Sequence, residues 1–487
     1  MTVVESGTEE GMFVDGAFVV GDGLGWTQVC DPATGEEVGK APQAGAAEAE
    51  LAVQAAARAF PGWSELPAAT RGEVLRAAAE RVHEEVEPLA LLLTREQGKP
   101  LREARLELNR FVHTIEHYAG LAKAIRGGYV PALDERAHGL ILRRPLGVVV
   151  AVVPWNFPTT LLANKLGPAL LTGNTVVAKP AETTPLTTLR VAGLMHEAGV
   201  PAGVFNVVTG KGSELGPLLV RHSLVRKVAF TGSTPVGRQV MALAAEGTKR
   251  LTLELGGSDP MIICADADLD AAVSAASVGR FFNCGQACLA VKRLYVQEAV
   301  ADEVVEKLVG KAGRLRVGPG TQEGVTLGPL HTAGQREAIE EQLADALDRG
   351  GELLHGGSRP AGGPYDAGFY YEPTLVLEPA RDAKVATEEV FGPVLPIWRV
   401  SGLDEAIELA NDSPFGLGSS IFTRDLDSAT LAAERLEAGY TWINSPQKIY
   451  DELPFGGVGE SGFGKEHGIE ALDYYTDLKS VVVKRGA

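Results

Sequence analysis

The sequence predicts an α/β protein with a mostly parallel sheet. Three observations carry this: the length, an alternation of β-rich and helix-period runs between residues 146 and 257, and short Gly- or Pro-marked joints between the runs. A chain of 487 residues exceeds the size at which one hydrophobic core stops growing, so two or three units are expected. The runs GVVVAVVP, TVVAKP, FNVVTG, KVAFTGS and RLTLELGG alternate with LLANKLGPALL, LTTLRVAGLMHEAG, ELGPLLVRH and VGRQVMALAAE. That is the signature of βαβ units, which bind ligands at the strand carboxyl ends. No GxGxxG follows a strand, so a nucleotide bound here would sit in a variant geometry.

Other elements follow in order. FVDGAFVV places Asp15-Gly16 between apolar segments, a hairpin signal. From Ala44 to Gly120 the spacing of Ala, Leu, Glu and Arg is helical, with a stop at Gly98 and Pro100. A second, less regular α/β region runs from Ser258 to about Glu460. The Val-rich Ser480 to Val483 reads as a strand whose partner lies elsewhere in the chain or in another subunit.

Composition excludes several classes. With 45% hydrophobic residues the chain can bury large cores, and its 63 acidic against 45 basic residues give a net charge of -18. Such charge repels nucleic acid and anionic membrane surfaces. The acidic start MTVVESGTEEG does not resemble a secretory leader, and the longest apolar run, Leu146 to Val153, is too short to span a bilayer, so a cytoplasmic location is expected. Cys30, Cys264, Cys284 and Cys288 are too few and too scattered for a disulfide framework, and no His cluster accompanies them, so no metal is expected.

A free cysteine is more often a small buried hydrophobe than a nucleophile, which serves for Cys30 and Cys264. Cys288 differs because of its company. PWNFP (Pro154 to Pro158), KPAE (Lys179 to Glu182), FTGS (Phe230 to Ser233), ELGG (Glu254 to Gly257), GQAC (Gly285 to Cys288), EEVFGPV (Glu388 to Val394) and PFGG with SGFGKE (Pro454 to Glu466) occur in that order. Together these motifs resemble the aldehyde dehydrogenase superfamily.

The resemblance implies a Rossmann-like cofactor domain (1–126 and 146–257), an α/β catalytic domain (258–460), and a small β oligomerisation extension with the C-terminal tail (127–145 and 461–487). It implies oxidation of a small-molecule aldehyde to a carboxylic acid with NAD, or with NADP, in a homodimer or homotetramer. Cys288 becomes the nucleophile that passes through a thiohemiacetal to a thioester, Asn156 the oxyanion donor, and Glu254 the base that activates the hydrolytic water. Lys165 and Glu466 match proton-relay residues.

By the same match, Lys179 and Glu182 reach the adenosine ribose, and Glu182 would repel a 2′-phosphate, favouring NAD. Trp155, Gly232 and Ser233 lie by the pyrophosphate, and Glu389 and Phe391 by the nicotinamide riboside. Phe157, Asn164, Phe282, Leu289 and Phe455 match tunnel positions. The chain departs from the family in having Val458-Gly459 after PFGG, and Asn164 where members acting on carboxylate-bearing aldehydes often carry Arg. A CoA-acylating dehydrogenase and a non-catalytic structural protein on the same fold are the alternatives. Glu254 speaks against the first, and the joint presence of Cys288, Asn156 and Glu254 against the second.

Overall fold

The computed structural model describes residues 8–21 and 23–486, so the leader reading of residues 1–7 lies outside the described residues. Its largest sheet has eight strands. Five of them, Val148–Val152, Thr175–Lys179, Phe205–Val207, Val225–Thr231 and Arg250–Glu254, run parallel. They come from the alternating region, and their valines are buried because helices cover both faces. The strand order reverses where Val148–Val152 lies between Thr175–Lys179 and Val225–Thr231. This switch point opens a crevice at the carboxyl ends.

Antiparallel strands close both edges of this sheet. At one edge Met12–Val14 and Ala17–Val19 form the expected hairpin, with left-handed Asp15 (φ 54) and Gly16 (φ 81) at its tip, the geometry a two-residue turn of this hand needs. At the other edge Gly462–Phe463 pairs with Leu253 and Glu254. The stretch expected as extension and tail therefore also lends a strand to the first sheet.

The helical stretch resolves into Ala46–Glu65, Ala68–Glu84, Val86–Gln97 and Leu101–Gly120. Gly98 ends the third in the left-handed conformation (φ 102), and Pro100 caps the fourth. These helices pack on the first sheet around Leu75, Leu93, Leu108 and Phe111. Polar groups cross the same interface. Glu96, fully buried, accepts from the N–H groups of Leu186 (2.9 Å) and Thr187 (3.0 Å), capping helix Leu186–Glu197 from a distance. Burial raises its carboxyl to about 7.

A second sheet of seven strands comes from residues 259–443, parallel except for its edge strand Glu352–His355. A third sheet has three antiparallel strands. In it Thr476–Lys484, which contains the Val-rich run, pairs along its whole length with Ala137–Pro145, which also pairs with Gly128–Val130. Among the described residues no helix is long and apolar enough to cross a membrane, and no group of three or more His, Cys, Asp or Glu is placed to hold a metal ion.

The Glu96 cap gives a direct test. Glu96→Ala leaves two buried N–H groups unpartnered and should cost about 1–3 kcal/mol. Thermal unfolding should show a lowered midpoint, and an unchanged one would mean that the helix end finds another acceptor.

Candidate active site

Cys288 follows a tight loop that the backbone pays to make. Asn283 (φ 50) and Cys284 (φ 56) are consecutive non-glycine residues in the left-handed region, followed by Gly285 (φ 72). A Cβ at Gly285 would strike the Gly392 carbonyl. Three contacts over-determine the loop. The buried Glu103 carboxylate accepts from Asn283 N (2.8 Å), Gln286 Nε2 donates to Asn283 O (3.0 Å), and Arg280 donates to Gly285 O (2.6 Å).

Cys288 itself is half-buried, against Leu417, Trp442 and Phe455, with Leu289, Tyr440 and Ile449 alongside. This desolvated setting pushes the thiol up to about 12, opposed by the nearby Lys292 ammonium. Lys292 donates to Cys288 O and Glu389 (both 2.6 Å). Cys284 is buried in the second core, its thiol also raised by burial, and it does not share the Cys288 wall.

Asn156 sits between the first sheet and the Cys288 loop. Its Nδ2 donates to Gln286 O (3.0 Å), which fixes the amide plane and leaves the second N–H of that amide free. Its main-chain oxygen accepts from Asn283 Nδ2 (3.0 Å) and Lys99 Nζ (2.6 Å).

Glu254 ends its strand and is buried, yet neither carboxylate oxygen has a hydrogen-bond partner in the protein. Burial and the charge of Glu466 hold its carboxyl well above the usual range. Gly456 lies close by: at φ +155 a Cβ there would come within 2.5 Å of both Glu254 Oε1 and the Gly464 carbonyl. Behind Glu254, Lys165 and Glu466 form a buried pair (2.6 Å), and Lys165 also donates to Thr231 (2.5 Å).

Asn164 is buried, and its Nδ2 donates to Glu466 Oε2 (2.9 Å), so it braces the Lys165–Glu466 pair and stands apart from the apolar wall beside Cys288. The other tunnel residues are brought together in two groups. Phe157 and Phe282 stack at 6.0 Å with rings 5° from parallel, and Leu289 and Phe455 belong to the wall around the thiol.

The residues matched to the cofactor line the carboxyl ends of the first sheet. Lys179 is buried at the end of its strand, with Nζ donating to Pro180 O (3.0 Å), and burial lowers its ammonium to about 8. Glu182 is exposed beside it. Ser233, also exposed, is the N-cap of helix Thr234–Ala245 but makes no side-chain cap, so that helix start is open to an anion. Gly232 N is spent on Glu254 O (3.1 Å). Trp155 stacks on His331 (4.5 Å) and meets Phe391 edge-on (5.6 Å), while Glu389 is held by Gly257 N (3.1 Å) and Lys292.

Sequence reasoning missed Lys99, Glu103, Glu107, Asn283, Gln286, Lys292 and His331. Only Asn283, Gln286 and Lys292 had a signal, their nearness to Cys288 in the chain.

Comparison with known proteins identifies the family. The model of the aldehyde dehydrogenase family matches residues 18–481. The chain is 42% identical over 469 residues to 3-sulfolactaldehyde dehydrogenase of Pseudomonas putida, covering 96% of each. It is 41% identical over 455 residues to succinate-semialdehyde dehydrogenase [NADP(+)] of Escherichia coli strain K12, covering 93% of this chain and 94% of that one. A crystal structure of PnpE in complex with nicotinamide adenine dinucleotide superposes with a TM-score of 0.96 at 41% identity, covering 98% of both chains. With the family model and the relatives in agreement over nearly the whole length, the chain belongs to the aldehyde dehydrogenase family.

Proposed function

We propose that Cys288, Asn156 and Glu254 carry out the aldehyde oxidation of this NAD(P)+-dependent family. The observation that carries the reading is the meeting of a half-buried thiol, a clamped amide with a spare N–H, and a buried carboxylate without a partner. Glu254 accepts the thiol proton, and the thiolate attacks the aldehyde carbon to form a thiohemiacetal whose oxyanion receives the free Asn156 N–H. NAD(P)+, when bound, supplies the hydride acceptor that turns this adduct into a thioester. Glu254 then takes a proton from water, which attacks the thioester and releases the acid and the thiol. Lys165 and Glu466 are placed to carry the proton away from Glu254.

The chain's own groups fit that cofactor. Lys179 and Glu182 are at hand for the ribose hydroxyls, the open helix start at Ser233 suits the pyrophosphate, and Trp155, Glu389 and Phe391 surround the way to Cys288. Glu182 disfavours a 2′-phosphate and so supports NAD. Residues 1–126 and 146–257 then form the cofactor domain, 258–460 the catalytic domain, and 127–145 with 461–487 the extension. That extension exposes Leu478 (65%) and Val482 (66%) on one face of its sheet, with Val130 and Leu133 (50%) on the same side, an apolar face suited to a second copy of this chain.

Cys288→Ala should abolish NADH formation and leave NAD+ binding intact, while Cys284→Ala keeps most of the activity; turnover by the Cys288 variant, read by absorbance, would refute the assignment. Glu254→Gln should give at most about one NADH per site on rapid mixing, then stall with an acyl group on Cys288 detectable by mass spectrometry. Raising the pH should speed that burst, since more of the thiol then ionises, without restoring turnover. Near wild-type steady turnover would remove Glu254 as the base, and turnover that requires CoA would make the chain an acylating member. Sedimentation should find a dimer or tetramer, and replacing Leu478 and Val482 with Asp should shift it toward monomer; a monomeric wild type would remove the oligomer reading.

A further inference from the structure

We infer that Lys99 is a positioning residue for the oxyanion donor, acting through the main chain of Asn156; this rests on the role proposed above for that asparagine. Lys99 belongs to the short joint between helices Val86–Gln97 and Leu101–Gly120, remote from every motif that identified the site. Its side chain is fully buried and ends 2.6 Å from Asn156 O and 4.1 Å from the Phe157 ring centroid. Its charge partner is Glu107, also buried.

Glu107 is itself committed to the same segment. Its second oxygen accepts from Thr159 N and Thr159 Oγ1 (both 2.9 Å) and lies 3.4 Å from Thr160 N. These are amides of the first turn of helix Pro158–Leu171, whose own N-cap, Phe157, has no side chain able to accept. The pair thus grips the chain on both sides of Phe157: Lys99 holds the carbonyl before it, and Glu107 holds the helix start after it. The other donor to Asn156 O is Asn283 Nδ2, from the Cys288 loop. One carbonyl oxygen therefore joins the helical layer, the first sheet and the nucleophile loop, and Lys99 supplies its charged donor.

A positioned amide must sit where the oxyanion develops, and a shift of about 1 Å can cost about a hundredfold. Losing the Lys99 donor leaves Asn156 O to Asn283 alone and frees the peptide plane before Phe157 to rotate. The loss falls on the chemical step, because neither Lys99 nor Glu107 reaches the Cys288 wall or the cofactor residues.

The test is a cycle of variants in the full-length protein. Lys99→Met keeps the bulk and removes the donor; it should lower kcat for aldehyde oxidation about 10- to 100-fold, with little change in aldehyde KM or in NAD+ affinity read by fluorescence quenching. In an Asn156→Ala background the same substitution should cost little more, because the amide it positions is already gone. Lys99→Met with Glu107→Gln removes both charges while the Gln oxygen can still cap Thr159, so it separates donor loss from a stranded carboxylate and provides a folded variant if the single one fails. The double variant should match the predicted kcat loss. Recovery of wild-type kcat in it, or an equal Lys99→Met loss with and without the Asn156 amide, would overturn the inference. If instead Asn156→Ala alone leaves turnover intact, the oxyanion reading fails and not merely the Lys99 link.

Discussion

The centre of this protein is organised around a cost: a thiol and a carboxyl, proposed above as proton donor and proton acceptor, are kept where their charged forms are poorly solvated. Cys288 lies against aromatic and aliphatic side chains, and Glu254 has no partner for either oxygen. Both are pushed toward their neutral forms. The surrounding charges are neutralised in pairs, Lys165 with Glu466 and Lys292 with Glu389. A free ammonium beside the thiol would favour its ionisation at rest, whereas Lys292 is divided between a carboxylate and a carbonyl.

Rigidity has to accompany that cost, because polar groups in a dry site are useful only where they are aimed. Helix Leu101–Gly120 provides much of the aim. Glu103 and Glu107 are four residues apart, so they project from one face. The first holds the Cys288 loop and the second holds the helix after Asn156. One helix therefore fixes both sides of the place proposed for the oxyanion. His331 adds a third tie: its N–H donates to Gln286 Oε1 (2.8 Å), and its ring bonds Gln97 O (3.1 Å) while stacking on Trp155.

Much of the fold was legible because its signals are local. Asp15-Gly16 demanded a turn, Gly98 and Pro100 demanded a break, and valine runs marked strands covered on both faces. The family motifs likewise lie in short windows, so Cys288, Asn156 and Glu254 were readable where they stand. The supporting residues were not. In LREARLELNR, Glu103 and Glu107 look like the solvated face of a surface helix, and only tertiary contact shows them buried beside Asn283 and Lys99. The hydrogen bond of Asn164 was hidden for the same reason: its partner, Glu466, lies far along the chain. The partner of the Val-rich C-terminal strand was equally invisible, since pairing between distant segments leaves no spacing to read.

That distant pairing has a bearing on biosynthesis. Ala137–Pro145 is made well before its long neighbour Thr476–Lys484. The same late stretch brings Glu466 to Lys165 and the Tyr475 carbonyl to Asn174 (2.9 Å). A nascent chain can assemble most of the first sheet before that neighbour emerges, and until then it displays an unzipped edge and a Lys165 without Glu466. Products cut short of this segment carry the Cys288 loop on a fold whose third sheet is still open.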